Sequence, residues 1–483
     1  MTQHEVLDLG TTISSLPKAP SSNLRSEVRT LLQSPNSGIP ILVALDDDPT
    51  GTQTCHNIPV LTVWDVPTLT NTFQTTNPGS GFFILTNSRA LHPGPARELI
   101  VEICTNLQAA SKAAGTTFEV VLRGDSTLRG HFPLEPEAAE SVLGEADAWI
   151  LCPFFLQGGR YTINDVHYVL DEDGKRIVPA GQTPFAKDAT FGYRSSDLKD
   201  YVVEKGKGAI SAERVTSISL NTIRTGGADA VLDQFRSLPK RSVVVINAAA
   251  EEDMDVVVLA ILKSAAEGKR FLFRTGAAFV SARLGISPIP PISAKQLSLT
   301  PAAGGLIIAG SYVPKTTLQL EKLISKSGDR LTTVIMDVRK LLESSESSAK
   351  EISHAIEVAE KQITNGQDVL VMTSRELIVG EDEVKSLDIG SIVAKSLVSF
   401  LVDLKTKPRY VIAKGGITSS DMATKGLRMK QALIVGQAAP GIPLWRCDEP
   451  ESKWAGLPYV VFPGNVGSPE TLYEVVERWR VTT

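Results

Sequence analysis

Cysteine is scarce in this chain: its 483 residues include only Cys55, Cys104, Cys152 and Cys447, which stand far apart and form no Cys-x-x-Cys pair. This spacing argues against a disulfide framework or a zinc site. No apolar run approaches the roughly 18 residues of a membrane span, and the N-terminus lacks the basic and apolar stretches of a secretory signal. We therefore expect a cytoplasmic protein with reduced thiols and no membrane partner.

An excess of charge of one sign is also missing. The 49 Lys and Arg residues nearly balance 54 Asp and Glu residues, giving a net charge of −5, and the basic residues are scattered. Without a basic stripe, we expect no nucleic-acid partner. The 42% hydrophobic and 21% charged content is typical of a globular protein. The length exceeds one ordinary core and predicts two domains.

Short apolar runs alternate with helical patterns along most of the chain. The predicted strands are PILVAL, GFFILTN, FEVVLRG, DAWILCP, SVVVINA and RFLFRTG, then, after a Pro-rich stretch, GGLIIAGS, TTVIMDV, DVLVMTS, RYVIAKGG and LPYVVFPGN. Continuous apolar strands separated by helices predict parallel sheets. We expect an α/β protein of two domains, each a mostly parallel sheet with helices on both faces. The predicted boundaries are a loosely packed N-terminal extension over 1–36, a first domain over 37–287, a linker over 288–303 and a second domain over 304–483.

Charged and hydroxyl side chains follow the predicted strands of the first domain, where open α/β sheets bind ligands. Arginine can clamp a carboxylate with two hydrogen bonds, and aspartate can orient hydroxyls, so the set suits a small polyhydroxylated anion. Any one segment is explained equally well by an ordinary turn, but four in series favour a site. The candidate residues are Asp46, Asp47, Asp48, Arg89, Arg123, Asp125, Ser126, Thr127 and Arg160.

Small residues follow the predicted strands of the second domain. Glycine lets the backbone approach a phosphate, and free amides at a helix N-terminus bind anions, so these turns indicate a nucleotide site. None is a P-loop or a complete G-x-G-x-x-G, and glycine at such turns is also common for packing alone. The candidate nucleotide-binding residues are Ser311, Gly415, Gly416, Ile417, Thr418, Ser419, Asp421, Gly464 and Asn465.

Several motifs together resemble the four-carbon acid sugar kinases, once catalogued as a domain of unknown function. They are LDDDPTGTQT, TNSRAL, DSTLRG, AGSYVPKT, AKGGITSSDMATKGL, VGQAAPGIPLWR and LPYVVFPGNVG, and the resemblance runs from about Pro40 to about Glu474. It implies an acid-sugar-binding N-terminal domain and a C-terminal domain that binds ATP with Mg²⁺. It also implies phosphorylation of the C4 hydroxyl of 3-oxo-tetronate, D-threonate or D-erythronate in carbohydrate catabolism. The chain departs from the usual pattern in its third consecutive aspartate and in Arg123, which stands where many members have lysine.

The resemblance also assigns roles. It places nucleotide contacts on Ser311, Gly416 to Ser419 and Gly464, and acid-sugar contacts near Asp47, Arg89, Arg123, Asp125 and Ser126. Because phosphoryl transfer often uses a carboxylate to accept the hydroxyl proton, we expect Asp47 to be the catalytic base, with Asp46 and Asp125 in the catalytic group. The residues that hold the metal are left open.

Two other functional classes remain open. An NAD-dependent acid-sugar oxidoreductase would need a glycine fingerprint after the first strand, where this chain has aspartates. A non-catalytic sugar-acid binding protein would need no nucleotide site. The expected partners are a small acid sugar and ATP, with a homodimer expected on base rates.

Overall fold

The computed structural model describes residues 4–21, 23–34, 38–310, 313–375 and 383–481. The chain divides into two compact units. The first comprises Met1–Cys55 and Val63–Pro288, and the second comprises His56–Thr62 and Ile289–Thr483. Each unit is built on a mostly parallel sheet, which confirms the predicted fold class. The short segment His56–Thr62 belongs to the second unit, although it lies within the range that the sequence assigns to the first domain.

The described ranges contain nineteen strands and fifteen α-helices. The strands are β1 (Leu7–Asp8), β2 (Ile41–Asp46), β3 (Ile58–Leu61), β4 (Gly81–Leu85), β5 (Phe118–Arg123), β6 (Ala148–Cys152), β7 (Arg160–Ile163), β8 (Val166–Leu170), β9 (Arg176–Pro179), β10 (Val215–Ile218), β11 (Ser242–Ile246), β12 (Phe271–Thr275), β13 (Leu306–Ala309), β14 (Leu331–Met336), β15 (Asp368–Thr373), β16 (Val411–Lys414), β17 (Gln431–Ala439), β18 (Ile442–Cys447) and β19 (Pro458–Phe462). The helices are α1 (Leu9–Ser15), α2 (Leu24–Gln33), α3 (Val66–Thr75), α4 (Pro93–Ala114), α5 (Leu134–Leu143), α6 (Leu198–Gly206), α7 (Gly227–Arg236), α8 (Glu251–Ala266), α9 (Ala277–Arg283), α10 (Pro314–Ser327), α11 (Val338–Glu343), α12 (Ser345–Thr364), α13 (Glu383–Asp403), α14 (Gly416–Asp421) and α15 (Thr471–Arg478). No helix of the described ranges is long and apolar enough to cross a bilayer.

The main sheet of the first unit has the order β10-β11-β6-β12-β5-β2-β4, and all its strands run parallel. Strand β2 is buried along its whole length, as a central strand covered on both faces must be. In register, its last residue, Asp46, lies opposite Arg123 of β5 and Leu85 of β4. The carboxyl ends of these three strands therefore meet at one edge of the sheet.

A second, antiparallel sheet of the first unit has the order β1-β9-β8-β7. The sequence analysis does not predict it, because strands of two to five residues carry too few alternations to stand out. Strand β7 starts with Arg160, so this small sheet positions a predicted site residue.

Helix α2 packs more tightly than the sequence suggests. Its Arg25, Val28 and Leu32 are all buried on one face. Arg25 donates to the Asp255 carboxylate of α8, and Arg29 donates twice to the Gly285 carbonyl at 3.1 and 3.0 Å. Residues at positions i, i+3 and i+7 share one side of a helix, which explains why a short polar segment still buries a face.

The sheet of the second unit has the order β3-β17-β18-β19-β16-β13-β15-β14. The strands from β19 to β14 are parallel, whereas β3, β17 and β18 pair antiparallel. The VGQAAPGIPLWR motif forms most of the β17–β18 hairpin.

The last helix, α15, buries one apolar face. Leu472, Val475 and Val476 are fully buried, and so is Trp479 at its C-cap. The helix begins at Thr471, so Ser468 and Pro469 lie ahead of its first turn. The Ser468 amide donates to Thr471 Oγ1 at 2.8 Å, which completes a tight turn ahead of the helix.

Candidate functional site

Three neighbouring strand ends of the first unit form a charged cluster. The Asp47 amide donates to the Arg123 carbonyl at 3.1 Å, and the Arg89 amide donates to the Asp47 carbonyl at 3.4 Å. The Thr86 amide and hydroxyl both donate to the Asp46 carbonyl at 2.9 Å. Backbone bonds thus fix the aspartates after β2 between the loop after β4 and the end of β5.

Asp47 occupies the centre of this cluster and is 3% exposed. Three guanidinium groups surround its carboxylate: Arg89 at 3.6 Å, Arg123 at 3.9 Å and Arg274 at 3.8 Å. Neither carboxylate oxygen accepts a hydrogen bond within the described chain. A buried carboxylate normally finds a donor, so both oxygens of Asp47 keep unused hydrogen-bond acceptor capacity.

Asp46 lies deeper than Asp47. Its side chain is 1% exposed and pairs with Arg123 at 3.3 Å. Burial raises the pKa of the Asp46 carboxyl to about 8, against the opposing effect of Arg123. A Cβ at Gly51 would lie 1.9 Å from the Asp46 carboxylate, so only glycine lets the Pro49–Thr52 turn cover it. Asp46 is thereby shielded from a ligand by the chain itself.

Arg89 links Asp48 and Asp125, the remaining carboxylates of the cluster. It pairs with Asp48 at 2.6 Å and approaches Asp125 at 3.7 Å. Burial opposes the ionisation of both acids, but nearby arginines hold both pKa values below the ordinary range. For Asp48 the main arginine is Arg89, and for Asp125 it is Arg129 together with Arg89. These two aspartates are therefore ionised, and they raise the pKa of Arg89 further.

Arg274, near the end of β12, belongs to the cluster although the sequence analysis does not single it out. It is buried and donates to the Arg129 carbonyl at 3.3 Å. A Cβ at Gly124 would lie 1.0 Å from its guanidinium, and one at Gly130 would lie 2.7 Å away. Both glycines are needed so that the loop after β5 can close over this arginine. The signal in the sequence is that Arg274 is the single charged residue of β12.

Buried side chains hydrogen-bond to the backbone of the loop after β5. His167 bonds to the Ser126 carbonyl at 2.7 Å, and the Tyr193 hydroxyl donates to the Thr127 carbonyl at 2.7 Å. The Thr127 hydroxyl donates to the Asp125 carboxylate, so it orients that carboxylate. Ser126 is also buried. The structure thus brings both predicted hydroxyl residues next to the aspartate cluster.

Arg160, the first residue of β7, interacts electrostatically with Asp125. Its guanidinium and that of Arg129 both approach the Phe185 ring, at 5.8 and 5.2 Å from the ring centroid. Arg129 pairs with Asp125 at 2.7 Å, whereas Arg160 bonds to the Gly158 carbonyl and forms no ion pair in the described ranges. Its Nε has no hydrogen-bond partner there. Burial lowers the pKa of Arg160, although Asp125 acts in the opposite direction. An anionic ligand would stabilise this guanidinium.

A buried acid behind the cluster, Glu135 of α5, was also not anticipated. Its carboxyl accepts from the Ser88 hydroxyl, in the turn that carries Arg89. His131 Nε2 lies 3.1 Å from the Ser88 carbonyl and 3.0 Å from the Leu91 carbonyl, so the same segment fixes the turn twice. Burial raises the pKa of Glu135 to about 7. Nothing in the local sequence LEPEAAESVL marks this one glutamate as buried.

The predicted nucleotide-binding residues of the second unit lie after β16 and β19, which are neighbouring parallel strands. Gly415 has a φ of 110°, which favours glycine, and Ile417 is 70% exposed at the start of α14. The Ser419 hydroxyl does not face a ligand, since it is fully buried and donates to the Ala413 carbonyl at 2.7 Å. Asp421 pairs with Lys425 at 2.7 Å.

Other strand ends complete this edge of the second unit. The Gly464 carbonyl accepts from the Thr316 hydroxyl at 3.2 Å, and Asn465 is exposed. Gly310, after β13, lies beside Thr418: a Cβ at Gly310 would be 3.3 Å from the Thr418 hydroxyl. Ser311 lies outside the described residues. Gly416 opens α14 between the two strand ends.

A protein-held metal does not fit the described residues. They contain no group of three or more His, Cys, Asp or Glu side chains arranged to hold a metal ion. In the first unit the neighbours of the aspartates are guanidinium groups, which compete with a cation for the same carboxylates.

Comparisons with known proteins define the class of each unit. Residues 42–283 match the model of a sugar-binding N-terminal domain, and residues 306–472 match that of a nucleotide-binding C-terminal domain. The chain is therefore a two-domain protein that combines a sugar-binding and a nucleotide-binding domain. This pair of domains is that of the four-carbon acid sugar kinase family, to which the chain belongs.

Solved structures support the same fold. A Haemophilus influenzae protein of the DUF1537 family superposes with a TM-score of 0.59 at 16% identity, covering 90% of this chain and 99% of that chain. A protein from Salmonella typhimurium LT2, described as a putative tRNA synthase, superposes with a TM-score of 0.65 at 17% identity, covering 90% of this chain and 98% of that chain. A search of the curated proteins finds no match.

Proposed function

We propose that this chain is an ATP-dependent kinase that phosphorylates the C4 hydroxyl of a four-carbon acid sugar of the 3-oxo-tetronate, D-threonate or D-erythronate class. The observation that carries the proposal is the environment of the Asp47 carboxylate. In a domain of the sugar-binding family, a buried carboxylate with two unpartnered oxygens stands at the ligand-binding edge of the sheet. The nucleotide-binding domain supplies the phosphoryl donor.

Asp47 is the proposed acceptor of the hydroxyl proton. Three guanidinium groups surround its side chain, and a carboxylate accepts hydrogen bonds from a sugar hydroxyl. Asp46 is covered by the Gly51 turn, and Asp125 already accepts from Thr127 and Arg129. Of the three proposed catalytic aspartates, Asp47 therefore has the most free acceptor capacity, while the other two fix the charge and geometry around it.

Arg160 is the proposed partner of the substrate carboxylate. A half-buried guanidinium that forms no ion pair in the described chain gains a counter-ion when an acid sugar binds. Arg89 and Arg123 are less suited to a direct contact, because Asp48 and Asp46 already engage them. Their proposed role is to hold the carboxylates of the cluster in place and to balance their charge.

The nucleotide is proposed to bind along the turns after β16 and β19, which carry Gly415, Gly416, Thr418 and Gly464. Mg²⁺ is proposed to arrive on the ATP phosphates, since magnesium commonly combines phosphate oxygens and water with few protein ligands. Ser419 supports this turn from within the fold, because its hydroxyl is committed to the Ala413 carbonyl.

A coupled assay of ADP release tests the proposal. The purified full-length chain is incubated with Mg-ATP and, separately, D-erythronate, D-threonate and 3-oxo-tetronate. Acid-dependent ADP release with a C4-phosphorylated product is the expected result. Thermal stabilisation by NAD but not by Mg-ATP would instead indicate an oxidoreductase. Stabilisation by an acid sugar, without turnover of ATP on any of the three acids, would indicate a binding protein.

A further inference from the structure

Lys414 is a buried lysine at the nucleotide edge of the second unit. It is the last residue of β16, it is fully buried, and it directly precedes the Gly415 turn. Its Nζ donates to the Pro463 carbonyl and lies 4.3 Å from the centroid of the Phe462 ring. The side chain thus crosses from β16 to the turn after β19, between two turns that carry the proposed phosphate contacts.

The surroundings of Lys414 supply no compensating negative charge in the described ranges. The neighbouring strands place Ala309 and Phe462 beside it, and α10 contributes another cation, Lys315. Asp421 of α14 is occupied by its own pair with Lys425. Burial, together with Lys315, lowers the pKa of Lys414 to about 7. An ammonium group held in this way is stabilised when an anion binds nearby.

We propose that Lys414 is a positioning residue for the nucleotide phosphates, which ties the Gly464 turn to β16 and takes up a proton when the phosphates bind. The inference rests on the proposed use of ATP by this unit and adds to it a charged group and a linkage to pH. Phosphate binding supplies the negative charge that the site lacks, so the protonated lysine becomes the favoured form. Nucleotide binding is therefore coupled to proton uptake above neutral pH.

The chain contains a matched control, Lys453. This lysine donates to the carbonyls of Leu401, Val402 and Leu404 and lies 4.2 Å from the Trp454 ring, and burial lowers its pKa to about 8. Those carbonyls lie at the C-terminal end of α13, which leads to the start of β16 rather than to its carboxyl end. Lys453 makes the same kinds of contact as Lys414, with backbone carbonyls and an aromatic ring, but it is exposed and remote from the Gly415 and Gly464 turns.

Calorimetric titration with ADP at pH 8, with equal MgCl₂ in every sample, tests the inference. The observed enthalpy in Tris and in HEPES gives the number of protons taken up, because the buffers differ in ionisation enthalpy. The nucleotide phosphates are already deprotonated at this pH, since their second pKa is about 6. We expect wild type and Lys453→Met to take up as much as about one proton, and Lys414→Met to take up none and to bind ADP roughly tenfold more weakly.

Lys414→Gln provides a second variant that keeps a donor for the Pro463 carbonyl but carries no charge. It should also lose the proton uptake, with a smaller loss of folding stability than Lys414→Met. Equal proton uptake in wild type and both variants, or no uptake in wild type, would overturn the role of Lys414 while leaving the kinase proposal intact. If the folded wild type binds no adenine nucleotide at all, both proposals are wrong.

Discussion

Replacing Asp47 by Asn perturbs the centre of the proposed site with little change in volume. The substitution removes the charge and the basic oxygen of a carboxylate that three guanidinium groups approach at 3.6 to 3.9 Å. If Asp47 accepts the hydroxyl proton, kcat should fall by about 10²-fold or more, since general bases contribute about 10²–10⁴-fold. That loss corresponds to roughly 2.7 kcal/mol or more in the activation barrier.

Stability must be separated from catalysis in this variant. Two unit charges about 4 Å apart interact by roughly 4 kcal/mol at an effective dielectric constant of 20, and Asp47 has three such neighbours. Relief of its own desolvation offsets much of that loss, so we expect at most the ~3–5 kcal/mol typical of a broken buried pair. The affinity for ATP should change little, because the nucleotide is assigned to the other unit.

A second buried aspartate provides the control. Asp253 is fully buried and forms two hydrogen bonds of 2.8 Å with Arg224, outside the proposed site. Asp253→Asn should lower the unfolding midpoint and leave kcat per folded molecule unchanged. The assay is coupled ADP release at saturating acid sugar, with the folded fraction measured in parallel by circular dichroism. If folded Asp47→Asn keeps kcat within about threefold of wild type, Asp47 is not the base and the cluster has a structural role.

Further perturbations test the neighbours of Asp47. The pKa of Asp46 is raised from 3.8 to about 8, so the folded state holds this proton more tightly than the unfolded chain and stability should fall as the pH rises from about 4 through 8. In Asp46→Asn, the free energy of unfolding measured with urea should therefore depend less on pH between pH 5 and 9. The same dependence on pH in wild type and variant would contradict the raised pKa of Asp46. Gly124→Ala should displace the Arg274 guanidinium, which a Cβ would meet at 1.0 Å, and lower the free energy of unfolding by about 1–3 kcal/mol. Gly94→Ala, which has open space around it, should leave stability unchanged. Arg160→Met should raise the KM for the acid sugar by about 10-fold or more at nearly constant kcat. Substitution of the exposed Arg176 by Met should leave this KM unchanged. Equal KM values for wild type and Arg160→Met would exclude the proposed contact between Arg160 and the substrate carboxylate.

The parallel core of each unit could be predicted from the sequence, because burial on both faces leaves an uninterrupted apolar run. The eleven predicted strands all form, including β2 and β16. The antiparallel elements could not be predicted in the same way. Strands β7 to β9 mix polar and apolar residues over four or five positions each, so they leave no continuous apolar run. The assignment of β3 to the second unit depends on its pairing with β17, which local sequence does not encode.

The sequence predicts which types of residue form the candidate site, but it does not predict which side chains contact one another there. The rule of inspecting the residues after each apolar run identifies Asp47 and Gly415, yet it misses Arg274 and Lys414, which lie inside or at the end of their runs. Burying a charge within a strand is costly unless an opposite charge or a ligand compensates it. Arg274 is compensated by Asp47, whereas no carboxylate of the described chain compensates Lys414. A single charge within an apolar strand therefore indicates a ligand site only where no opposite charge of the described chain compensates it, as at Lys414, whereas Asp368 of β15 pairs with Arg409 and Arg480.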